Sequence, residues 1–226
     1  AAPWPQNEAT PVFLSQGYAV AESAYSSQGW AVADALPDNE KLRSYFTSKH
    51  ARPARTYLVG FSLGGHVALA SLEKYADRYD GALSLCGVNL PAATVFNEAI
   101  LTSLVSFDYF FPGAMGLASG GLPDPASPPM LDMQAIETAL AGNEASAAIL
   151  ANRLDIPRTG LAGALMLNYM VLREAQARAG GFPVDNMATS YAGFGNDTAF
   201  NKGVRRYPGN HAAMDQVAGS ANLTGR

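Results

Sequence analysis

The chain has 226 residues, of which 48% are hydrophobic and 15% are charged, and its formal net charge is −4. This length and composition fit one globular domain, or a core with a lid, and exclude a disordered chain. No basic block, like-charge run or bilayer-length apolar stretch is present, so neither nucleic-acid nor membrane partners are predicted. The single cysteine, Cys86, excludes an internal disulfide.

The amino-terminal part combines an arm, a strand and a helix in the sequence pattern. Residues 1–16 contain three prolines and predict an extended arm, whereas the apolar run at residues 17–21 predicts a first strand. A Ser/Gly loop and a helical pattern containing Val32 and Phe46 follow. The opening Ala-Ala-Pro-Trp would suit the mature end left by a peptidase that cuts after small residues, which favours a secreted or periplasmic protein.

Residues 56–66 read Thr-Tyr-Leu-Val-Gly-Phe-Ser-Leu-Gly-Gly-His, an apolar strand followed at once by a helical pattern. This is G-x-S-x-G in strand–turn–helix context, which is typical of the nucleophile elbow of serine hydrolases and makes Ser62 the predicted nucleophile. The tight turn predicts backbone strain at Ser62 and no room for side chains at Gly60 and Gly64. The amide of Leu63, at the helix N-terminus, is the predicted oxyanion donor.

The segment after the elbow predicts a parallel sheet. A helix that ends by Gly81 leads to an apolar third strand at residues 82–86. Strands that alternate with helices predict βαβ units, and the lack of polar alternation predicts a strand buried on both faces. Cys86 is therefore predicted to be a buried core thiol.

The character of the chain changes after Pro91. Apolar helical stretches are predicted at about 93–111, 131–154 and 161–178, and no further strand is predicted. The insertion begins beyond the carboxyl end of the third strand, where open α/β sheets bind ligands, so a helical cap over the serine is predicted. The predicted fold is α/β: residues 1–90 form a core with a parallel sheet and flanking helices, and residues 91–226 form the cap and a loop-rich C-terminal segment.

Residues 60–66, together with the runs Gly-Tyr-Ala-Val from Gly17 and Gly-Trp-Ala-Val from Gly29, resemble the α/β-hydrolase superfamily over residues 17–90. Within it the resemblance is to bacterial serine esterases, with feruloyl-esterase and tannase-like branches as relatives. It implies hydrolysis of a carboxylic ester in a small molecule, through an acyl-enzyme on Ser62 assisted by a histidine and an acid.

The histidine and the acid that the resemblance implies are harder to identify in the sequence than the serine. His66 lies one turn along the elbow helix and is predicted to be a packing or surface-helix residue, and His50 is predicted to lie in a solvated loop. Only His211 follows Ser62 in the order that the family implies, and no strand precedes it. Three strands and no upstream oxyanion loop predict that the chain is incomplete at both ends. The acid and the histidine are then predicted to come from a companion polypeptide, which could be another chain or a proteolytic partner, or from further sequence of the same protein.

Four aromatic residues are the predicted substrate contacts: Phe61, Tyr25, Trp30 and Tyr169. No metal-ligand cluster and no nucleotide-binding glycine motif is present, so no cofactor is predicted. Two other readings stay open at the level of sequence. One keeps the fold but changes the reaction to amide or peptide hydrolysis or acyl transfer; the other is a non-catalytic subunit whose cap binds a ligand or partner.

Overall fold

The structure, a computed structural model, describes residues 9–115, 131–180, 183 and 185–209. It is a mixed α/β fold that is mostly helical and contains a small parallel sheet of two strands. The chain divides into two compact units, Ala1–Gly87 and Val88–Arg226. Within the described ranges, no helix combines the length and the apolar character needed to cross a bilayer.

In its described residues, the first unit contains the sheet and three helices. In chain order its elements are α1 (Ala9–Ser15), α2 (Val32–Lys49), β1 (Tyr57–Phe61), α3 (Leu63–Lys74) and β2 (Gly81–Leu85). The strands pair in parallel, from Tyr57 opposite Gly81 to Phe61 opposite Leu85, and α3 connects them and packs against both. The predicted β–α–β order around the elbow is therefore confirmed.

Two predictions for the amino-terminal part are wrong. The extended arm contains helix α1, because Pro11 lies in its first turn, where the missing proline N–H removes no helical hydrogen bond. The predicted strand at residues 17–21 is an exposed loop. Gly17 has a φ of 84°, and the side chains of Tyr18 and Val20 are 50% and 37% exposed. The ring of Tyr18 lies edge-on to that of Tyr57 in β1, with centroids 6.4 Å apart, but the run adds no strand to the described sheet.

The sheet is covered by α3 on one face, and its other face is exposed. Side chains of Tyr57, Val59 and Phe61 on β1 are 44%, 49% and 69% exposed, and those of Leu83 and Leu85 on β2 are 48% and 41% exposed. The prediction that the third strand is buried on both faces is therefore wrong for this unit.

Cys86 is exposed, so the prediction of a core thiol is also wrong. The strand ends at Leu85, and Cys86 adopts a left-handed backbone with a φ of 47°. The chain thus leaves the sheet before the thiol can enter the packed side of α3.

A buried carboxylate holds α2 to the segment after α3. Glu40 is 8% exposed and accepts hydrogen bonds from the Tyr79 hydroxyl at 2.5 Å and from Arg78 at 2.6 Å, with Arg43 at 3.0 Å. Burial opposes the charged form of Glu40, but these hydrogen bonds outweigh it and lower the pKa of the carboxyl below its ordinary value. Charge and hydrogen bonding at Glu40 thus stabilise the packing of α2.

We expect Glu40→Gln to lower the free energy of unfolding by about 2 kcal/mol at neutral pH, because it weakens charge-assisted hydrogen bonds in a buried place. Urea unfolding followed by Trp30 fluorescence, in a Trp4→Phe background, measures this. Since the folded-state pKa is lowered, the difference from the parent should be complete above about pH 5 and shrink as the pH falls below about 4. The exposed Glu22→Gln is the control, and its free energy of unfolding should differ little from that of the parent. If Glu40→Gln were as stable as Glu22→Gln, the hydrogen bonds of Glu40 would not stabilise the packing of α2.

The second unit contains helices joined by loops, and no strand, in its described ranges. Its elements are α4 (Ala92–Thr94), a π-helical segment (Val95–Leu101), α5 (Thr102–Phe110), α6 (Met133–Gly142), α7 (Glu144–Leu154), a 3₁₀ turn (Arg158–Gly160), α8 (Leu161–Ala179) and α9 (Asp197–Gly203). The stretch predicted at 131–154 is two helices, because the Asn143 side chain accepts from the Ser146 amide and starts α7 anew. Helix α9 lies in a region predicted to be loop.

The core of the second unit is apolar and aromatic. Helix α8 packs against the π-helical segment, α5 and α6, and its side chains of Leu165, Tyr169 and Leu172 are at most 2% exposed. Phe200 of α9 is fully buried and stacks on Phe194 with ring centroids 4.1 Å apart. The helical content predicted for residues 91–226 thus builds a core of its own.

Candidate active site

Ser62 occupies the turn between β1 and α3 in a strained backbone conformation. Its φ is 53° and its ψ is −121°, values that a residue with a side chain adopts at a cost of about 1–3 kcal/mol. Its amide donates a hydrogen bond of 3.0 Å to the carbonyl of Leu85, which fixes the turn to the end of β2. The side chain is exposed. The predicted strain at the serine is confirmed.

Two glycines give this turn the space that it needs. A Cβ atom at Gly60 would overlap the carbonyl group of Gly64 and would lie 2.7 Å from the amide nitrogen of Gly65. A Cβ at Gly65 would overlap the hydroxyl of Ser84 and lie 2.6 Å from the Cα of Gly87. The steric prediction is thus confirmed for Gly60.

At Gly64 the steric prediction is wrong, because a Cβ there would meet open space. The backbone carbonyl of Gly64 is what approaches Gly60, so a side chain at position 64 itself would not be obstructed. The second close approach belongs to Gly65, to which no steric role was assigned. The adjacent glycine pair in the sequence was the signal that could have located it.

The first amide of α3 is available to a ligand. Leu63 begins this helix, and in the described part of the chain its N–H has no acceptor. The Ser62 carbonyl is already bonded by the Gly65 amide at 2.9 Å, which closes the first turn. Because the positive end of the helix dipole lies at the same place, this amide is chemically suited to stabilise an oxyanion that forms at Ser62.

None of the histidines in the described ranges is bonded to the Ser62 hydroxyl, which has no hydrogen-bond partner among those residues. His66 is fully buried, and its ring lies 6.3 Å from that of Trp30, so it is a packing residue. His50 is exposed at the end of α2, beside Phe46. His211 lies outside the described residues. A general base is therefore not identified in the described part of the chain.

The predicted substrate contacts occupy different surroundings. Phe61 directly precedes Ser62 and is 69% exposed. Tyr25 has a φ of 48° and lines an open groove of about 390 Å³ beside α2. Trp30 is 7% exposed and Tyr169 is 2% exposed within the second unit, so both have packing roles. Substrate contact by these four residues stays a prediction.

Two carboxylates of the described residues have local structural partners. Asp197 accepts hydrogen bonds from the amides of Gly193 and Phe194. In the first unit, Asp38 accepts from the Lys41 ammonium and the Ser26 amide, which lower the pKa of its carboxyl to about 2. Both groups stabilise loops by hydrogen bonding, and neither is seen bonded to a histidine.

Within residues 9–115, 131–180 and 185–209, no three His, Cys, Asp or Glu side chains are grouped as metal ligands. Ser62 and the Leu63 amide are thus the chemical groups that the described residues bring together. Comparisons of the chain with protein-family models, with curated proteins and with solved structures found no match.

Proposed function

We propose that this protein is a serine hydrolase that cleaves a carboxylic ester through an acyl-enzyme on Ser62. The observation that supports it most is the positive φ of a serine at a strand–helix turn. Glycine adopts this conformation at lower cost, so a serine at this position is best explained by use of its hydroxyl. The resemblance of residues 60–66 to the elbow of serine esterases points the same way.

In the proposed reaction the Ser62 oxygen attacks the ester carbonyl while a base takes the hydroxyl proton. The carbonyl oxygen becomes an oxyanion next to the Leu63 amide, and one such donor is typically worth about 3–4 kcal/mol in the transition state. The C–O bond then breaks, and the alcohol leaves with the proton from the base. Water attacks the acyl-serine in the same way and releases the acid and free Ser62.

The base and acid of this reaction come, in our proposal, from polypeptide outside the described residues. A companion polypeptide is the first source, and His211 is the source within this sequence. That residues 91–226 form a cap over the serine stays a prediction. The absence of a described hydrogen-bond partner for the Ser62 hydroxyl also favours a second candidate function, a non-catalytic subunit that binds a ligand or partner.

We expect a fluorophosphonate probe to form an adduct on Ser62, because an activated serine attacks phosphorus as it attacks a carbonyl. Peptide mass spectrometry of the natively purified protein locates the adduct. Ser62→Ala should reduce labelling by at least about 100-fold, whereas the exposed Ser48→Ala on α2 should leave it unchanged. A native sample without adduct would favour the non-catalytic subunit.

The reaction type is read from a matched pair of substrates. p-Nitrophenyl butyrate and the p-nitroanilide of the same acid present one acyl group with an ester or an amide bond. Because the ester is intrinsically the more reactive of the two, turnover of the ester without turnover of the anilide supports the esterase, and turnover of the anilide at a comparable rate supports an amidase. Release of butyryl ester in place of acid when an alcohol is added would identify acyl transfer.

A further inference from the structure

We propose that the exposed face of α8 is a contact surface between two copies of this chain, which pair antiparallel about a two-fold axis between Leu167 and Met170. The surface lies within the second unit. The inference does not depend on the proposed reaction at Ser62, because every observation that carries it comes from α8 and the residues at its two ends.

The exposed side of α8 is apolar for most of the length of the helix. Its exposed positions are Gly163, Leu167, Met170 and Ala177, and the side chains of Leu167 and Met170 are each 60% exposed. No charged residue occurs from residue 161 to residue 172. Since the opposite side of the helix is packed in the core, this part of α8 is apolar all round, which is typical of a helix that is covered on every side.

The exposed positions, together with Glu174, form a regular seam along the helix. This α8 seam runs through residues 163, 167, 170, 174 and 177. The intervals alternate between four and three residues, which is the heptad spacing of helices that pack side by side. The occupant that the spacing favours is therefore another helix.

A second copy of α8 complements the seam when it runs antiparallel. About an axis midway between Leu167 and Met170, each of these side chains contacts the other type in the second copy, and Glu174 lies against Gly163. A Cβ at Gly163 would have no atom within 4 Å, so the seam has room there for a longer side chain. A parallel pair would instead place the two Glu174 carboxylates together, and like charges repel.

The charges at the two ends of α8 also favour the antiparallel pair. Just before the helix, Arg158 bonds to two glutamates of α6 and α7, so one positive and two negative side chains leave a net charge of −1. Residues 173–179 contain two arginines and one glutamate, which leave +1. A two-fold axis brings the positive end of each copy to the negative end of the other. Such exposed pairs add little affinity, but they distinguish one orientation from the other.

The size of the surface determines how stable the pair can be. A helix of 19 residues is about 28 Å long, and one face of it buries less than the about 1,200 Å² of a standard interface. We therefore expect a reversible dimer that forms at high micromolar concentration.

Sedimentation equilibrium of the full chain, from about 5 to about 500 µM, measures this association. We expect a monomer–dimer equilibrium that Leu167→Glu weakens at least about 10-fold, because it places an unpaired charge in the contact. Tyr45→Glu is the matched control. It adds the same charge at a helical position that is 62% exposed, but in the first unit, so it should leave the association unchanged.

The orientation is tested with single cysteines in a Cys86→Ser background. Leu167→Cys and Met170→Cys proteins, one of them carrying a mass tag, are mixed and oxidised. An antiparallel pair places the two different cysteines within disulfide distance. The mixed disulfide should then exceed the share of about one half that random pairing would give, whereas a parallel pair would favour the like-with-like disulfides.

Three results would overturn the proposal: a monomer at every concentration, a dimer that Leu167→Glu leaves unchanged, or an excess of like-with-like disulfides. Circular dichroism at the lowest concentration shows whether Leu167→Glu has the fold of the parent. If it does not fold, the disulfide experiment decides. Labelling of Ser62 by the fluorophosphonate is measured separately, so failure of the dimer and failure of the proposed reaction are distinguishable.

Discussion

Replacing Gly60 by alanine should destabilise the first unit by about 3 kcal/mol or more, because the new Cβ would overlap the backbone of Gly64 and neither group can move freely. Urea unfolding followed by Trp30 fluorescence, in the Trp4→Phe background, measures the change. Fluorophosphonate labelling of Ser62 should fall in parallel, since the turn that presents the hydroxyl depends on this close approach.

Gly64→Ala is the matched control for this prediction. It changes a glycine of the same motif, but its Cβ would meet open space on a helical backbone. We expect unchanged or higher stability, by up to about 1 kcal/mol, because alanine favours helix. If both substitutions destabilised the protein equally, the strand–turn–helix geometry at Ser62 would be wrong.

Leu165→Ala should destabilise the second unit by about 3 kcal/mol. Its side chain is fully buried in α8, and removal of its methyl groups leaves a cavity that packed helices close only in part. Thermal unfolding followed by circular dichroism at a helical wavelength measures the loss, because this unit contains most of the described helices.

The control for Leu165 is on the same helix and has the same residue type. Leu167 is 60% exposed, so Leu167→Ala should change stability by no more than about 0.5 kcal/mol. A comparable loss from Leu167→Ala would show that this side chain is covered in the native protein, by a partner or by part of the chain outside the described residues.

The sequence was sufficient to predict β1, the turn at Ser62 and helix α3. These elements have strong local signals: an apolar run, glycines where the backbone approaches itself, and helical spacing after the turn. It failed for residues 17–21, where a short apolar run looks like a strand but has no paired neighbour in the described structure. Whether such a run pairs depends on partners distant in sequence, and local propensity does not contain that information.

Burial was predicted less well than secondary structure, for a related reason. Leu83 and Leu85 have the residue types of a strand buried on both faces, yet one face is exposed in this unit. The residue types of a strand indicate which surroundings its side chains favour. Their exposed fraction also depends on whether the polypeptide that would cover them is present. For the same reason, the turn at Ser62 could be predicted from its neighbours in sequence, but the source of a base for the proposed reaction could not.

The short connection between β1 and β2 has a consequence for the order of folding. Thr56 and Asp80, which bond across the start of the two strands, are only 24 residues apart in sequence, and α3 lies between them. Closing so short a loop costs little chain entropy, and contacts that are local in sequence form fast. We therefore expect the strained turn at Ser62 to form early in folding, from contacts within this segment.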